Sequence, residues 1–109
     1  MNAALQILKD RGFFQQCTDV EGLSALMDKG PVTFYVGTDP TGPSLHVGHL
    51  VPQFALLHLR KAGHIAIDLI GAGTARIGDP SGKTEMRKMI TYEEIDENVK
   101  KIEAQLDRF

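Results

Sequence analysis

Cysteine is nearly absent from this sequence, since Cys17 is the only one among 109 residues. A single cysteine excludes a disulfide within the chain and a zinc site built from several cysteines. Such scarcity suits a reducing compartment, where thiols stay unpaired. Hydrophobic residues make up 42% of the chain, which is enough for a packed core. The length fits one small domain or a piece of a larger one.

An excess of positive charge is also missing. Twelve Lys and Arg residues stand against fourteen Asp and Glu residues, which gives a formal net charge of −2. The chain therefore has no overall basic field that could hold a nucleic-acid backbone. If RNA is a partner, we expect residues outside this segment to make most of the contacts with it.

Long apolar runs are absent as well. The first ten residues contain neither a basic region nor a continuous apolar core of the kind that a signal peptide needs. No later apolar run approaches the length that spans a bilayer. We therefore expect a soluble, cytoplasmic protein without a membrane partner.

Two short helices are predicted at the start of the chain. Residues 2–11 carry Leu5 and Leu8 on one side and end before Gly12, a typical residue for a helix C-terminus. A second helix is predicted after Thr18, which has capping-box spacing to Glu21. An apolar stripe follows, made of Leu23, Leu26 and Met27.

A strand, a helix and a second strand are predicted next. Residues 32–36 are β-branched and aromatic, which indicates a buried strand. We expect a helix from the N-cap Ser44 to Gly63, kinked at Pro52, and then a strand over residues 64–70. Such a unit is typical of parallel strands with a right-handed crossover. The predicted fold class is α/β, a Rossmann-like parallel sheet with flanking helices.

The remaining sequence is predicted to form a loop and a helix. Residues 71–82 are rich in glycine and indicate a loop. Thr91 and Glu94 form a second capping-box pattern, and an amphipathic helix follows to the last residues. Asp68 interrupts a strand that should be buried on both faces, so it needs a partner or an open face.

The most specific stretch runs from Tyr35 to His49, where a strand passes into a helix N-terminus. Unpaired N–H groups and a partial positive charge favour phosphate there. His46 and His49 add side-chain donors, and Gly48 between them lets a ligand approach the backbone. Two such histidines alone are more often capping or core residues, and a zinc site would need a third ligand. We predict no metal site in the protein.

The motif His46-Val47-Gly48-His49 resembles the HIGH signature of class I aminoacyl-tRNA synthetases. Before it stands Tyr-x-Gly-x-Asp-Pro-Thr, a lead-in that resembles the tyrosyl enzymes, in residues 35–41. Residues 78–83, Gly-Asp-Pro-Ser-Gly-Lys, are similar to a second motif of the same family. The resemblance implies the N-terminal portion of a class I catalytic domain over residues 1–109, with no complete second domain.

The family resemblance also implies roles for individual residues. The expected ATP-binding residues are Gly37, Asp39, Thr41, His46, Gly48 and His49. The expected catalytic residues are Thr41, His46, His49, Lys83 and Arg87. The expected tyrosine-binding residues are Tyr35, Thr74 and Asp79. Taken alone, Lys83 and Arg87 fit a solvated basic patch equally well, and Asp79 fits an ordinary turn.

The implied activity is ATP-dependent activation of tyrosine to tyrosyl-adenylate, followed by ligation to tRNA(Tyr). Tyrosine, ATP with Mg²⁺, and tRNA(Tyr) are the implied partners, and the full-length protein is expected to be a homodimer. The second class I signature with its catalytic lysines, expected downstream, is absent. Two alternatives stay open, a tryptophanyl enzyme and a non-catalytic nucleotide-binding remnant.

Two glycine-rich stretches approach other nucleotide motifs without matching them. Gly78 and Gly82 are separated by three residues, where a Walker A loop requires four. Residues 71–76 begin like a dinucleotide fingerprint, but Arg76 stands where its third glycine belongs. A P-loop and a redox cofactor are therefore disfavoured, and the sequence assigns no role to Arg76.

Overall fold

The computed structural model describes residues 1–76 and 91–109, which form two compact units. The first unit contains residues 1–36 and 47–67, and the second contains residues 37–46 and 68–109. The elements in chain order are α1 (Ala3–Asp10), α2 (Val20–Lys29), β1 (Thr33–Thr38), a 3₁₀ turn (Val47–His49), α3 (Leu50–Lys61), β2 (Ile65–Ile70), α4 (Ala72–Arg76) and α5 (Tyr92–Leu106).

Helix α1 begins and ends with local hydrogen bonds that its sequence predicts. The Asn2 side chain caps the helix by accepting a hydrogen bond from the Ala4 amide. At the other end Gly12 has a φ of 80°, and the Phe13 amide donates to the Leu8 carbonyl at 2.8 Å. This is a Schellman ending, in which a left-handed glycine satisfies the last carbonyls. The predicted helix is confirmed.

Helix α2 begins one residue later than predicted. Asp19, and not Thr18, is the N-cap, and its carboxylate accepts a hydrogen bond from the Gly22 amide at 2.9 Å. Aspartate caps a helix at least as well as threonine, so the neighbouring residue displaces the predicted cap. The stripe is also only partly buried, because Met27 is in the core while Leu26 is exposed.

The core of the first unit lies among α1, α2 and α3. Helix α1 packs against α3. Burying these apolar side chains is the main stabilising contribution to the unit, at roughly 25 cal/mol per Å² of apolar surface removed from water. The buried members are Ala4, Leu5, Leu8, Met27 and Leu59, with Phe13, Phe14, Leu23, Val32, Phe34 and Ala55 packed against them.

The start of α3 differs from its prediction. Ser44 is not the N-cap, because the chain first forms the 3₁₀ turn and α3 begins at Leu50 with His49 at the N-cap position. Pro52 is consequently the third residue of the helix. In the first turn its missing N–H removes no helical hydrogen bond, so the predicted kink has no cause. Helix α3 ends at Lys61 with Ala62 as its C-cap, and Gly63 follows with a φ of 97°.

Strands β1 and β2 form a two-stranded parallel sheet. The Ile65 amide donates to the Val32 carbonyl at 3.0 Å, and the Gly71 amide donates to the Thr38 carbonyl at 2.8 Å. Both bonds join residues at the same offset in sequence, as parallel strands require. The parallel α/β prediction is therefore confirmed for the described residues.

Burial on both faces, expected for these strands, is wrong in this chain. In β1 half-buried residues alternate with exposed ones, because successive side chains point to opposite faces and only one face is covered. In β2 the exposed residues include Ile65, Ile67 and Leu69. Asp68 lies on the other face of β2 and is exposed, whereas its same-face neighbours Ala66 and Ile70 are half-buried.

His64 connects the two strands inside the first unit. Its imidazole is 9% exposed, and Nδ1 accepts a hydrogen bond from the Val32 amide at 3.1 Å. The ring also meets Phe34 edge to face, with centroids 5.7 Å apart. A buried polar ring that is both hydrogen-bonded and packed contributes to a unique register, because another register would leave it unsatisfied.

The second unit is organised by α5. The Thr91 hydroxyl accepts a hydrogen bond from the Glu94 amide at 3.1 Å, which confirms the predicted cap. Ile95 and Ile102 are 0% and 1% exposed, and α5 packs against α4. Residues 72–76 form α4, so the predicted loop is wrong there. No helix within residues 1–76 and 91–109 is long and apolar enough to cross a membrane.

Candidate functional site

The segment after β1 carries most of the predicted ATP-binding residues. Gly37 lies in the last part of β1, and Asp39, Thr41 and His46 lie on the connection that follows, in the second unit. Gly48 and His49 belong to the 3₁₀ turn of the first unit, directly before α3. The predicted order, from a strand through a turn to a helix N-terminus, is therefore the observed one.

The connection at residues 39–46 folds back on itself. The Thr41 amide donates to the Asp39 carbonyl at 2.9 Å, which makes a tight turn around Pro40. Pro40 is almost completely buried, whereas Thr41 and His46 are exposed. In this connection Pro40 is therefore the buried residue, while the Thr41 hydroxyl and the His46 imidazole are accessible to solvent.

Two side chains of α5 hold this connection from the same unit. The Asn98 amide nitrogen donates to the Pro40 carbonyl at 3.0 Å. The Gln105 amide oxygen accepts from the Leu45 backbone N–H at 2.8 Å, and its nitrogen donates to the Ser44 hydroxyl at 3.0 Å. The backbone on both sides of the exposed residues is therefore tied to a regular helix.

His49 occupies the N-cap position of α3, yet its side chain makes no capping hydrogen bond. The interpretation of this residue as a helix-capping histidine is therefore wrong. A helix N-terminus carries a partial positive charge, which favours a bound anion. His46 precedes the 3₁₀ turn and is exposed, so the interpretation of it as a core histidine is also wrong. The two imidazoles do not occupy successive turns of one α-helix.

The tyrosine-binding residues of the prediction fall in three places. Tyr35 lies on β1 and is 70% exposed, so its ring is not part of a closed core. Thr74 lies on α4 in the second unit. Asp79 lies outside the described residues, as do the predicted catalytic residues Lys83 and Arg87.

In the two described segments, no three His, Cys, Asp or Glu side chains are grouped so that they could hold a metal ion. Cys17 is half-buried with a free thiol.

Sequence reasoning missed Asn98 and Gln105. The sequence pattern could have indicated both residues. They stand at helical spacing from Ile95 and Ile102, on a face that the periodicity predicted to be buried. A polar side chain on an inward helix face needs a partner. What could not be foreseen is the identity of that partner, which lies about 60 residues earlier in the chain.

The chain is similar in sequence to a protein family and to individual named proteins. The family profile described as tRNA synthetases class I (W and Y) matches residues 27–109. The tyrosine–tRNA ligase of Treponema denticola is 62% identical over 109 residues, and that of Treponema pallidum is 64% identical over 109 residues. The chain covers 27% of the length of each relative. It therefore corresponds to about a quarter of these ligases.

Solved structures with the same fold come from fungal mitochondria. A C-terminally truncated tyrosyl-tRNA synthetase of Coccidioides posadasii matches with a TM-score of 0.84 and 35% identity, over 99% of this chain and 28% of its own. The corresponding protein of Aspergillus nidulans matches with a TM-score of 0.88 and 29% identity, over 99% of this chain and 30% of its own.

Proposed function

The chain belongs to the class I tRNA synthetase family of tryptophan and tyrosine enzymes, and we propose that it is the N-terminal portion of the catalytic domain of a tyrosine–tRNA ligase. The observation that carries this proposal is the agreement between two findings. Relatives named tyrosine–tRNA ligase align with the whole chain. Within the same chain, Thr41 and His46 are exposed on a connection that leads from a parallel strand to a helix N-terminus.

The proposed first reaction joins tyrosine to ATP. A carboxylate oxygen of tyrosine attacks the α-phosphorus, the bond to the bridging oxygen breaks, and pyrophosphate leaves with the electron pair. Negative charge grows on the phosphoryl oxygens in the transition state. Positioned N–H and O–H donors stabilise such charge best when they are fixed beforehand. We assign this role to Thr41 and His46 near the phosphates, and we place His49 near the ribose.

The remaining ATP contacts are assigned by the same family resemblance. Gly37 and Asp39 would line the junction between the amino acid and the adenylate, and Gly48 would let the nucleotide approach the backbone. Lys83 and Arg87 would stabilise the departing pyrophosphate as cations do at phosphoryl groups. Mg²⁺ would arrive on the triphosphate and keep several of its waters, as this ion usually does.

Tyrosine recognition is assigned to three side chains. Tyr35 would meet the substrate phenol, and its exposure leaves the ring accessible to a ligand. Thr74 and Asp79 would receive the α-ammonium group, since a carboxylate facing a cation gives a strong, charge-assisted hydrogen bond. Discrimination then depends on satisfying a substrate hydroxyl, which an analogue without it leaves unpaired.

The second reaction transfers the tyrosyl group to tRNA(Tyr), and we propose that regions outside this chain make most of the RNA contacts. The net charge of −2 supports this division, because a phosphate backbone is held mainly by Lys and Arg. By the same family resemblance we propose a homodimer in the cytoplasm for the full-length protein. Light scattering of the full-length protein tests the dimer directly.

Amino-acid-dependent exchange of pyrophosphate into ATP by the full-length protein tests the proposed function. We predict exchange with tyrosine and none above background with tryptophan at the same concentration. Exchange with tryptophan alone would instead identify the tryptophanyl alternative. Calorimetric ATP binding without exchange for either amino acid would support the non-catalytic alternative and contradict the ligase.

A further inference from the structure

Two side chains of α5 lie at the two ends of the exposed turn in the second unit. Asn98 donates to the carbonyl of Pro40, which is bonded directly to Thr41. Gln105 contacts Ser44 and Leu45, and Leu45 is bonded directly to His46. Each anchor is thus one peptide unit away from a residue that the proposed function places at the triphosphate.

The Gln105 contact is specific for an amide side chain. Its oxygen accepts from the Leu45 N–H at 2.8 Å, while its nitrogen donates to the Ser44 hydroxyl at 3.0 Å. The Ser44 hydroxyl in turn donates to the Leu45 carbonyl at 2.9 Å. Because a carboxylate lacks the donor and an apolar side chain lacks both groups, neither can reproduce this arrangement. The Leu45 N–H, the Leu45 carbonyl and the Ser44 hydroxyl, immediately before His46, are therefore all hydrogen-bonded.

The Asn98 contact fixes the other end of the turn. The Pro40 ring is almost completely buried, so its position is already set by packing. The hydrogen bond from Asn98 then fixes the orientation of the Pro40 carbonyl at 3.0 Å. A buried carbonyl without a donor would be costly, which makes this partner difficult to replace.

Helix α5 gives both anchors a rigid support. Ile95 and Ile102 are 0% and 1% exposed and share a helical face with Asn98 and Gln105. Seven residues of α-helix separate the two amides along the axis by about 10 Å. Packing of the isoleucines holds this spacing, because a buried side chain resists displacement.

We propose that Asn98 and Gln105 are positioning residues for tyrosyl-adenylate formation, acting through Thr41 and His46 respectively. This inference rests on the proposed function. A misplacement of about 1 Å in a group that stabilises a transition state can cost about 100-fold in rate. Loss of either anchor should therefore lower kcat for pyrophosphate exchange, with a smaller change in KM for tyrosine.

Variants of the full-length ligase test the proposal. Gln105→Met and Asn98→Leu keep the size of each side chain and remove its hydrogen bonds. We expect each to lower kcat by about 10- to 100-fold, while Glu103→Gln, an exposed change on the same helix, leaves kcat within about two-fold. Thermal unfolding of each variant, measured alongside, separates lost activity from lost folding.

Double variants distinguish positioning from a general structural role. If Gln105 acts through His46, Gln105→Met should have little further effect on kcat in a His46→Ala protein, because the group it positions is gone. Asn98→Leu should lose its effect in a Thr41→Ala protein in the same way. Full additivity in both pairs, or wild-type kcat for both single variants, would overturn the proposal.

A milder change keeps the test decisive if Gln105→Met does not fold. Ser44→Ala at an exposed position removes the acceptor of the Gln105 nitrogen, and we expect a several-fold loss of kcat that disappears in the His46→Ala background. Unchanged kcat for Ser44→Ala would count against the Gln105 anchor. A wild-type ligase without tyrosine-dependent exchange would instead contradict the proposed function itself, independently of these variants.

Discussion

Gly63 follows the C-cap of α3 and has a φ of 97°, a conformation that residues with a Cβ adopt only at a cost. The Gly63 amide donates to the Arg60 carbonyl and the His64 amide to the Leu59 carbonyl, at 3.0 and 3.1 Å. This ending places His64 directly before β2. The residue thus has a conformational role that no other amino acid fills equally well.

Replacement of Gly63 tests this role. We predict that Gly63→Ala destabilises the chain by about 1–2 kcal/mol, because alanine is strained at this φ. Gly30→Ala is the matched control, since Gly30 has an extended backbone and open space around its Cβ position. Thermal unfolding at equal chain concentration measures both. A Gly63→Ala Tm equal to that of Gly30→Ala would contradict the assignment.

At the scale of elements, the segment after β1 that carries the predicted ATP-binding residues ends where α3 begins. The helix begins at Leu50, so Pro52 falls in its first turn. We predict that Pro52→Ala changes stability by less than about 1 kcal/mol, because no helical hydrogen bond is gained. Ala55→Pro, one turn further into the helix, should cost about 3 kcal/mol or more. Thermal unfolding measures both variants, and a rise in the Tm of Pro52→Ala as large as the fall for Ala55→Pro would contradict the first-turn position of Pro52.

Element prediction succeeded where local signals decide the outcome. Helix α5 and strand β2 follow from a Thr91 cap, an apolar period and a β-branched run, all of which act within a few residues. The Ser44 prediction failed because the same hydroxyl chemistry serves caps and loop contacts alike, and here it meets Gln105. Local patterns cannot choose between such uses.

For the candidate site, the sequence predicted the placement of the motif in the fold. The motif around His46 and His49 predicted a connection from a strand to a helix N-terminus, and the structure has that connection. The anchors Asn98 and Gln105 depend on tertiary contacts with distant residues, which periodicity alone does not specify. Helix α4 was not predicted because it lies in a glycine-rich stretch, which is typical of a loop.

At the scale of the whole molecule, the first unit exposes an apolar sheet surface. Tyr35, Ile65 and Ile67 are 70%, 53% and 46% exposed. In the described part of the chain the sheet has two strands, so each strand has one side without a neighbouring strand. Exposed apolar edges of this kind promote association.

The isolated 109-residue chain should therefore self-associate. We predict concentration-dependent oligomers in sedimentation velocity, reduced by Ile67→Lys, because a charge on the exposed face opposes association. Lys61→Gln, a polar change at an exposed position, should leave the association unchanged. A monodisperse monomer with a sharp thermal transition would contradict this prediction.

The central claim is that the imidazoles of His46 and His49 stabilise the transition state of tyrosine activation. Single-turnover formation of tyrosyl-adenylate by the full-length ligase tests it most directly, comparing wild type with the His46→Ala/His49→Ala double variant. His58→Gln serves as the matched control, because His58 lies on α3 outside the motif and contacts Phe13. We predict a rate loss of at least about 100-fold for the double variant and a near wild-type rate for the control. A folded double variant that forms the adenylate at the wild-type rate would contradict the claim.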